Sequence, residues 1–272
     1  EKGADDYLVK PYTRDELIAA IEAQWVKHEH MEKVVQEKIE EVGRNVNYAL
    51  PHEFRTVLNQ VIGSAKYLNG NSENIDQEEI KELTQDIITS SQRLMRITEN
   101  FLIYIKIESF AAVPEKRRQL RLSRTDEPAA MLIDIASMLA SKYNRYDDID
   151  VDGAVEDIAI EMSSDSYHKV IDELVDNAFK FSEAGKKIRI SVWLKNDYFY
   201  LSIEDNGRGM SEEQISNVGA YKQFERQMYE QQGVGLGLVI AKRLVELHSG
   251  EFILESKENQ GTKVSMSFPL VL

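Results

Sequence analysis

Glu173-Leu174-Val175-Asp176-Asn177-Ala178-Phe179-Lys180, Asp205-Asn206-Gly207-Arg208-Gly209 and Gly233-Val234-Gly235-Leu236-Gly237-Leu238 stand in this order towards the C-terminal end of the chain, and together they decide the fold. In the first stretch, spacings of four and three bring Glu173, Asn177 and Lys180 to one face of a helix, a carboxylate, an amide oxygen and an ammonium turned the same way. That trio suits a hydrated Mg2+ and a triphosphate, because Mg2+ takes few protein oxygens and keeps several of its waters. In the second stretch, at a strand end, glycines let the backbone approach a planar ligand and Asp205 can accept from an exocyclic amine. The third runs directly into a helix, so bare N–H groups and the positive end of the helix dipole can meet phosphates. Taken singly, each has an ordinary reading: a solvated helix face, a turn, a glycine-rich loop. A dinucleotide-binding crossover is excluded, since a first strand and a ribose-binding acid about 20 residues on are not where that fold needs them.

Working outward, periodicity predicts helices over Pro128 to Tyr143, Asp165 to Phe181 and Leu236 to Leu247. Strands are predicted at Lys187–Trp193, Tyr198–Glu204, Glu251–Ser256 and Lys263–Phe268, an α/β two-layer sandwich over residues 115–272. Upstream the pattern is helical. Ile21, Val35, Ile39, Val42 and Val46 recur at three-and-four spacing among Glu and Lys, the pattern of a coiled coil over 24–49, with His28 on the same seven-residue series. Pro51 is expected to kink that helix, since proline removes an N–H and presses on the preceding turn. Beyond it Phe54, Leu58, Val61, Ala65 and Leu68 form one apolar stripe, which leaves His52, Arg55 and Thr56 away from the core. After a turn at Asn69–Ser72, a second helix carries Ile80, Ile87, Leu94 and Phe101 on one series and Leu83, Ile97 and Tyr104 on another, ending near Glu108. A hairpin over 50–110 cannot bury both stripes alone, so a homodimer closing an antiparallel four-helix bundle is expected, making the chain an α+β multidomain protein.

Composition limits the partners. Against 47 Asp and Glu stand 33 Lys and Arg, a formal net charge of -14 that argues against nucleic acid. The basic run Lys116-Arg117-Arg118 reads as a solvated linker. No window approaches the roughly 18 apolar residues of a membrane span, and the chain has no cysteine, so a reducing, cytoplasmic setting is expected. The sequence opens at Glu1 within what reads as a folded element, and is expected to be a piece of something longer.

In this order the three stretches resemble the N, G1 and G2 boxes of the nucleotide-binding domain shared by histidine kinases, type II topoisomerases, Hsp90 chaperones and mismatch-repair ATPases, with Gly261-Thr262 matching the G3 box. His52-Glu53-Phe54-Arg55-Thr56 resembles the histidine-kinase H box, so the likeness covers roughly residues 50 to 272. Gly3-Ala4-Asp5-Asp6-Tyr7-Leu8-Val9-Lys10-Pro11 is similar to the last strand of a response-regulator receiver domain, making 1–23 that domain's tail. The resemblance implies a two-component histidine kinase that moves the γ-phosphate of ATP onto His52 and passes it to a response-regulator aspartate. It implies that Glu53 orients the imidazole, that Thr56 positions water when a phosphorylated partner is dephosphorylated, and that Asn177 holds Mg2+ with Glu173 beside it. It further implies that Lys180 contacts phosphate, that Asp205 accepts from the adenine amine, and that Gly207, Gly209, Gly233, Gly235, Gly237 and Thr262 shape the pocket. Phe224 resembles the F box of the lid.

The departures are specific. Val57 stands where the H box usually has proline, with Pro51 upstream instead, and Gln227 follows Phe224-Glu225-Arg226 in an incomplete F box. Glu173 stands where many kinases have Asn, and Glu-x-x-x-Asn also resembles the hydrolytic relatives, whose glutamate activates water. A hydrolase with Glu173 as general base and a nucleotide-binding scaffold are therefore the alternatives. Among the other histidines, His28 and His30 lie in the coil, His168 near a helix start, and His248 at a helix end where an imidazole can meet the last carbonyls.

Overall fold

Thr13 and Glu16 start the first helix by a reciprocal cap, the Glu16 N–H donating to Thr13 Oγ1 (3.3 Å) and the Thr13 N–H to Glu16 Oε2 (2.7 Å). The computed structural model describes residues 12–71, 75–111, 113, 117, 120, 122–219 and 236–271. Helix α1 (Arg14–Gly70) then runs unbroken for 57 residues, through Pro51. The expected proline bend therefore does not end the helix. Proline forfeits one N–H bond, and the flanking turns keep theirs. The boundaries expected at residues 23/24 and 49/50 fall inside this one helix, and the receiver-like stretch 3–11 lies outside the described residues.

After α1 the chain reverses into α2 (Gln77–Ala111), whose start is capped by Asp76 Oδ1 accepting from the Glu79 N–H (2.8 Å). The two helices pack along each other, and Val57 is fully buried. The position after Arg55-Thr56 thus holds a β-branched core residue. Leu58 and Ile62 of α1 and Ile88, Met95 and Leu102 of α2 remain exposed, so the single hairpin covers only one apolar stripe of each helix. The lower end of α2 turns inward: Tyr104, Ile107 and Glu108 are buried where α2 meets the second domain.

That domain is built on a five-stranded sheet. Its strands are β2 (Ile149–Asp152), β4 (Ile188–Lys195), β5 (Tyr198–Asp205), β6 (Phe252–Lys257) and β7 (Gly261–Pro269), in the order β2-β4-β5-β7-β6, antiparallel except for the β2–β4 pair. A two-stranded ribbon, β1 (Thr125–Asp126) with β3 (Ala159–Ile160), closes one side. Helices α3 (Pro128–Tyr143), α4 (Ser164–Phe181) and α6 (Leu236–Leu247) cover one face of the sheet, with α4 in contact with both others, while the short α5 (Glu212–Gly219) follows the end of β5. Register explains the core. Phe199, Leu201, Ile203 and Asp205 alternate on the helix-facing side of β5, opposite Phe268, Met266, Val264 and Thr262 of β7. Asp205 is thus the polar end of an apolar row.

The C-terminal end of α4 is held by Arg145, which is buried and ion-pairs with Asp148 (2.5 Å). It also donates to the carbonyls of Phe179 (3.0 Å), Ser182 (2.9 Å), Glu183 (2.7 Å) and Lys186 (3.1 Å). Carbonyls orphaned by the helix end are satisfied by one guanidinium fork. Arg145 and the Gly185 N–H hold the Asp148 carboxyl below the usual aspartate range.

Candidate functional site

A cleft opens between α4 and the adjoining ends of β5 and β7. Leu174, Asn177, Ala178 and Phe181 line it from α4, Ile203 and Asp205 from β5, Arg208, Gly209 and Met210 from the following loop, Gln214 from α5, Leu238 from α6, and Thr262 and Val264 from β7. The hydrophobic residues form walls for a flat apolar body, and Asp205, Asn177, Thr262 and Gln214 add a few convergent polar groups, the usual make-up of a cofactor site. Phe181 carries the Arg208 guanidinium 4.3 Å over its ring, a cation–π contact between two lining residues.

Asp205 is 8% exposed, and its Oδ1 accepts from the Gly207 N–H (2.8 Å). Burial pushes its carboxyl above the usual aspartate range, and the backbone N–H groups of Gly207 and Thr262 oppose that only in part. With about four acceptor sites, a carboxylate that takes two backbone N–H groups can accept one more hydrogen bond from a ligand. Gly209 follows with φ +63°, and a Cβ there would overlap the Lys257 carbonyl, so the loop can turn across β6 only with glycine. Thr262 Oγ1 sits 2.9 Å from Ser256 Oγ, tying the strand end beside Asp205.

The three residues expected on one face of α4 are separated by their partners. Asn177 lines the cleft. Glu173, 2% exposed, is drawn to the other side, where Oε2 accepts from Arg96 of α2 (2.8 Å) and Oε1 from Lys169 (2.7 Å) and Asn100 (3.3 Å). Burial alone would raise its pKa, but these cations hold it below the usual glutamate range. Lys180 ion-pairs with Asp176 at 2.5 Å. Spacing alone carries no information on partners from another domain, and here those partners take Glu173 out of the expected trio. Gly237 starts α6 against Glu173, where a Cβ would overlap the Glu173 carboxylate.

Residues 162–272 match the family of histidine kinase-, DNA gyrase B-, and HSP90-like ATPases, and residues 44–110 match the His Kinase A phosphoacceptor domain. The chain carries both domains of a histidine kinase. The ATPase domain holds the cleft, and the phosphoacceptor domain is the α1–α2 hairpin. Among curated relatives, the sensor protein KdpD of Clostridium acetobutylicum is 27% identical over 256 residues, covering 93% of this chain and 28% of that protein. The sensor histidine kinase YvrG of Bacillus subtilis is 25% identical over 234 residues, covering 86% of this chain and 39% of that protein. The chain therefore spans well under half the length of these relatives. The histidine kinase AdeS of Acinetobacter baumannii has the same fold, with a TM-score of 0.58 at 18% identity over 80% of this chain and 97% of that one.

His52 and Glu53 belong to the helical run of α1 inside the phosphoacceptor match, and Thr56, one turn further on, is exposed. Phe224, Gly233 and Gly235 lie outside the described residues, as do the first eleven positions, and neither domain match reaches the receiver-like tail. Of the competing histidines, His248 is fully buried with Nδ1 2.7 Å from the Leu244 carbonyl, the helix-end role expected of it, and His168 is exposed. Among the described residues no helix is long and apolar enough to cross a membrane. What reading the sequence missed is Arg96: nothing marks an arginine in the middle of α2 as the partner of carboxylates 77 and 80 positions away.

Proposed function

We propose that this chain is the catalytic part of a cytoplasmic two-component kinase that autophosphorylates His52 from Mg-ATP and passes the phosphoryl group to an aspartate of a response-regulator receiver domain. The carrying observation is a buried Asp205 at the end of an apolar cleft, in the same chain as a helical hairpin bearing His52-Glu53. Adenine fits the cleft with its amine donating to Asp205 and its faces against Ile203, Leu238 and Val264. The donor set also suits a hydrated Mg2+: Asn177 supplies one amide oxygen near the phosphate end, and water supplies the rest. Mg2+ there would offset phosphate charge.

In the transfer step, a ring nitrogen of His52 attacks the γ-phosphorus. A P–N bond forms as the P–O bond to ADP breaks, and the ring proton is lost to solvent. Glu53 on the adjacent position holds the other ring nitrogen, so that the attacking lone pair faces the phosphorus. The exposed residues Leu58, Ile62, Ile88, Met95 and Leu102 favour pairing with a second copy of the hairpin, which completes a four-helix bundle. A hydrolase with Glu173 as base is disfavoured, because that carboxylate is taken up by Arg96, Lys169 and Asn100 and is not part of the cleft lining.

Incubation with γ-labelled Mg-ATP tests this reading. The expected result is an acid-labile label that His52→Gln abolishes while nucleotide still binds. Label retained in His52→Gln, or steady phosphate release that His52→Gln leaves intact and Glu173→Gln removes, overturns it.

A further inference from the structure

Helix α4 presents two faces. Successive helical residues turn by about 100°, so Glu173, Asp176 and Lys180 share one side and Leu174, Ala178 and Phe181 the cleft side, with Asn177 at the border between them. The first of these faces meets α2. There Arg96 forks across one turn of α4, with Nη2 2.8 Å from Glu173 Oε2 and Nη1 2.5 Å from Asp176 Oδ2. Asp176 is almost fully buried, and its other oxygen, Oδ1, accepts from Lys142 (3.0 Å) and the Tyr143 hydroxyl (2.8 Å). Lys180 takes the same Oδ2 as Arg96, at 2.5 Å. One carboxylate oxygen is therefore shared between a cation of the phosphoacceptor hairpin and a cation of the ATPase domain.

That sharing has a direction. Two cations on one oxygen repel each other and divide its charge, so each is held more weakly than it would be alone. With Arg96 in place, Asp176 keeps three donors even when Lys180 leaves. Without Arg96, Oδ2 belongs to Lys180 alone, and drawing the ammonium towards a phosphate leaves a buried anion under-satisfied. The level of this contact along the hairpin is informative. Arg96 lies 19 residues into α2, about 28 Å from its start, and His52 lies 18 residues before the end of α1, about 27 Å from it. In an antiparallel hairpin the two occupy the same layer.

We propose that Arg96 is a positioning residue for phosphate binding: when the ATPase domain rests on the phosphoacceptor layer, Arg96 takes over Asp176 and releases Lys180 to the nucleotide phosphates. The inference rests on the proposed nucleotide site and on the contact with phosphate that the family resemblance implies for Lys180. It links affinity for the phosphate chain to contact with the layer that receives the phosphoryl group.

The test measures binding of Mg-ATP and of adenosine to the full chain by calorimetry. Arg96 is 30% exposed, so its removal leaves no cavity in a core. Arg96→Ala is expected to weaken Mg-ATP binding three- to tenfold with adenosine unchanged, and Arg96→Lys, which reaches one carboxylate at a time, to fall between. In an Asp176→Asn background, where Lys180 has already lost its anionic competitor, adding Arg96→Ala should change Mg-ATP affinity less than twofold. A simple long-range field from Arg96 would persist there, and that outcome overturns the proposal. So does an equal loss for adenosine, or no loss for Mg-ATP. Lys180→Ala separates the two levels. If it leaves Mg-ATP affinity unchanged, the phosphate role of Lys180 falls and the proposal with it. If it weakens Mg-ATP while Arg96→Ala behaves as wild type, the proposal alone falls.

Discussion

Asp205 concentrates the chemistry of the cleft in one ionisation. Burial raises its folded pKa, so the ionised form, the one able to accept from an amine, becomes scarce at a higher pH than for an ordinary aspartate. Nucleotide affinity should therefore fall as pH drops through that raised value, and calorimetric titrations across the acidic range would record it. Stability has the opposite sign: a carboxyl with a raised folded pKa favours the folded state when protonated and costs stability once ionised. Asp205→Asn should accordingly raise the melting temperature of the empty domain at neutral pH, weaken nucleotide binding at least tenfold, and remove the acidic limb. Its place at a strand end beside a glycine turn was legible in the sequence, although the stretch taken singly reads as a turn; its position in the cleft lining came from the fold. Glu173 was half legible. Its helical face follows from spacing, but its partners Arg96 and Asn100 come from another domain, and no local rule reaches that far.

At the level of elements, α6 depends on the identity of its second residue. Gly237 lets the helix start against the Glu173 carboxylate, and an added methyl has to displace that group from Arg96 or push the two helices apart. Gly237→Ala is expected to cost roughly 1–3 kcal/mol, as overpacking does, measured by chemical denaturation. Relief of that cost in Gly237→Ala/Glu173→Ala would identify the clash as its source. The elements around it were readable because each has a strong period. Helix α6 is found at Leu236–Leu247 as its apolar pattern predicts, and β4 and β5 lie within two residues of their predicted ends. Three pieces escaped: the β1–β3 ribbon, two residues per strand, the edge strand β2 with its Asp150 and Asp152, and the polar helix α5. Short or charged segments carry too little period to announce themselves, and neighbours fix their conformation.

For the whole molecule, the row Ile88, Met95 and Leu102 on α2 is exposed at seven-residue intervals, and burying it against a second copy would remove apolar surface worth about 1.5–3 kcal/mol per side chain. Leu102→Glu together with Met95→Glu should shift the chain from dimer to monomer in analytical ultracentrifugation, while nucleotide binding to the cleft is retained. An unchanged sedimentation coefficient in the variant would place the bundle interface elsewhere. Helix α1 carries a mechanical implication of its own. At 1.5 Å per residue its 57 residues form a shaft about 85 Å long, with His52 towards one end. A shaft of hydrogen-bonded turns passes torque along its length. Each residue spliced in rotates everything beyond it by about 100°, whereas a splice of seven returns the assembly to nearly its former azimuth. Whatever is coupled at the Arg14 end can therefore be exchanged without retuning the chemistry, provided the splice keeps that angular phase.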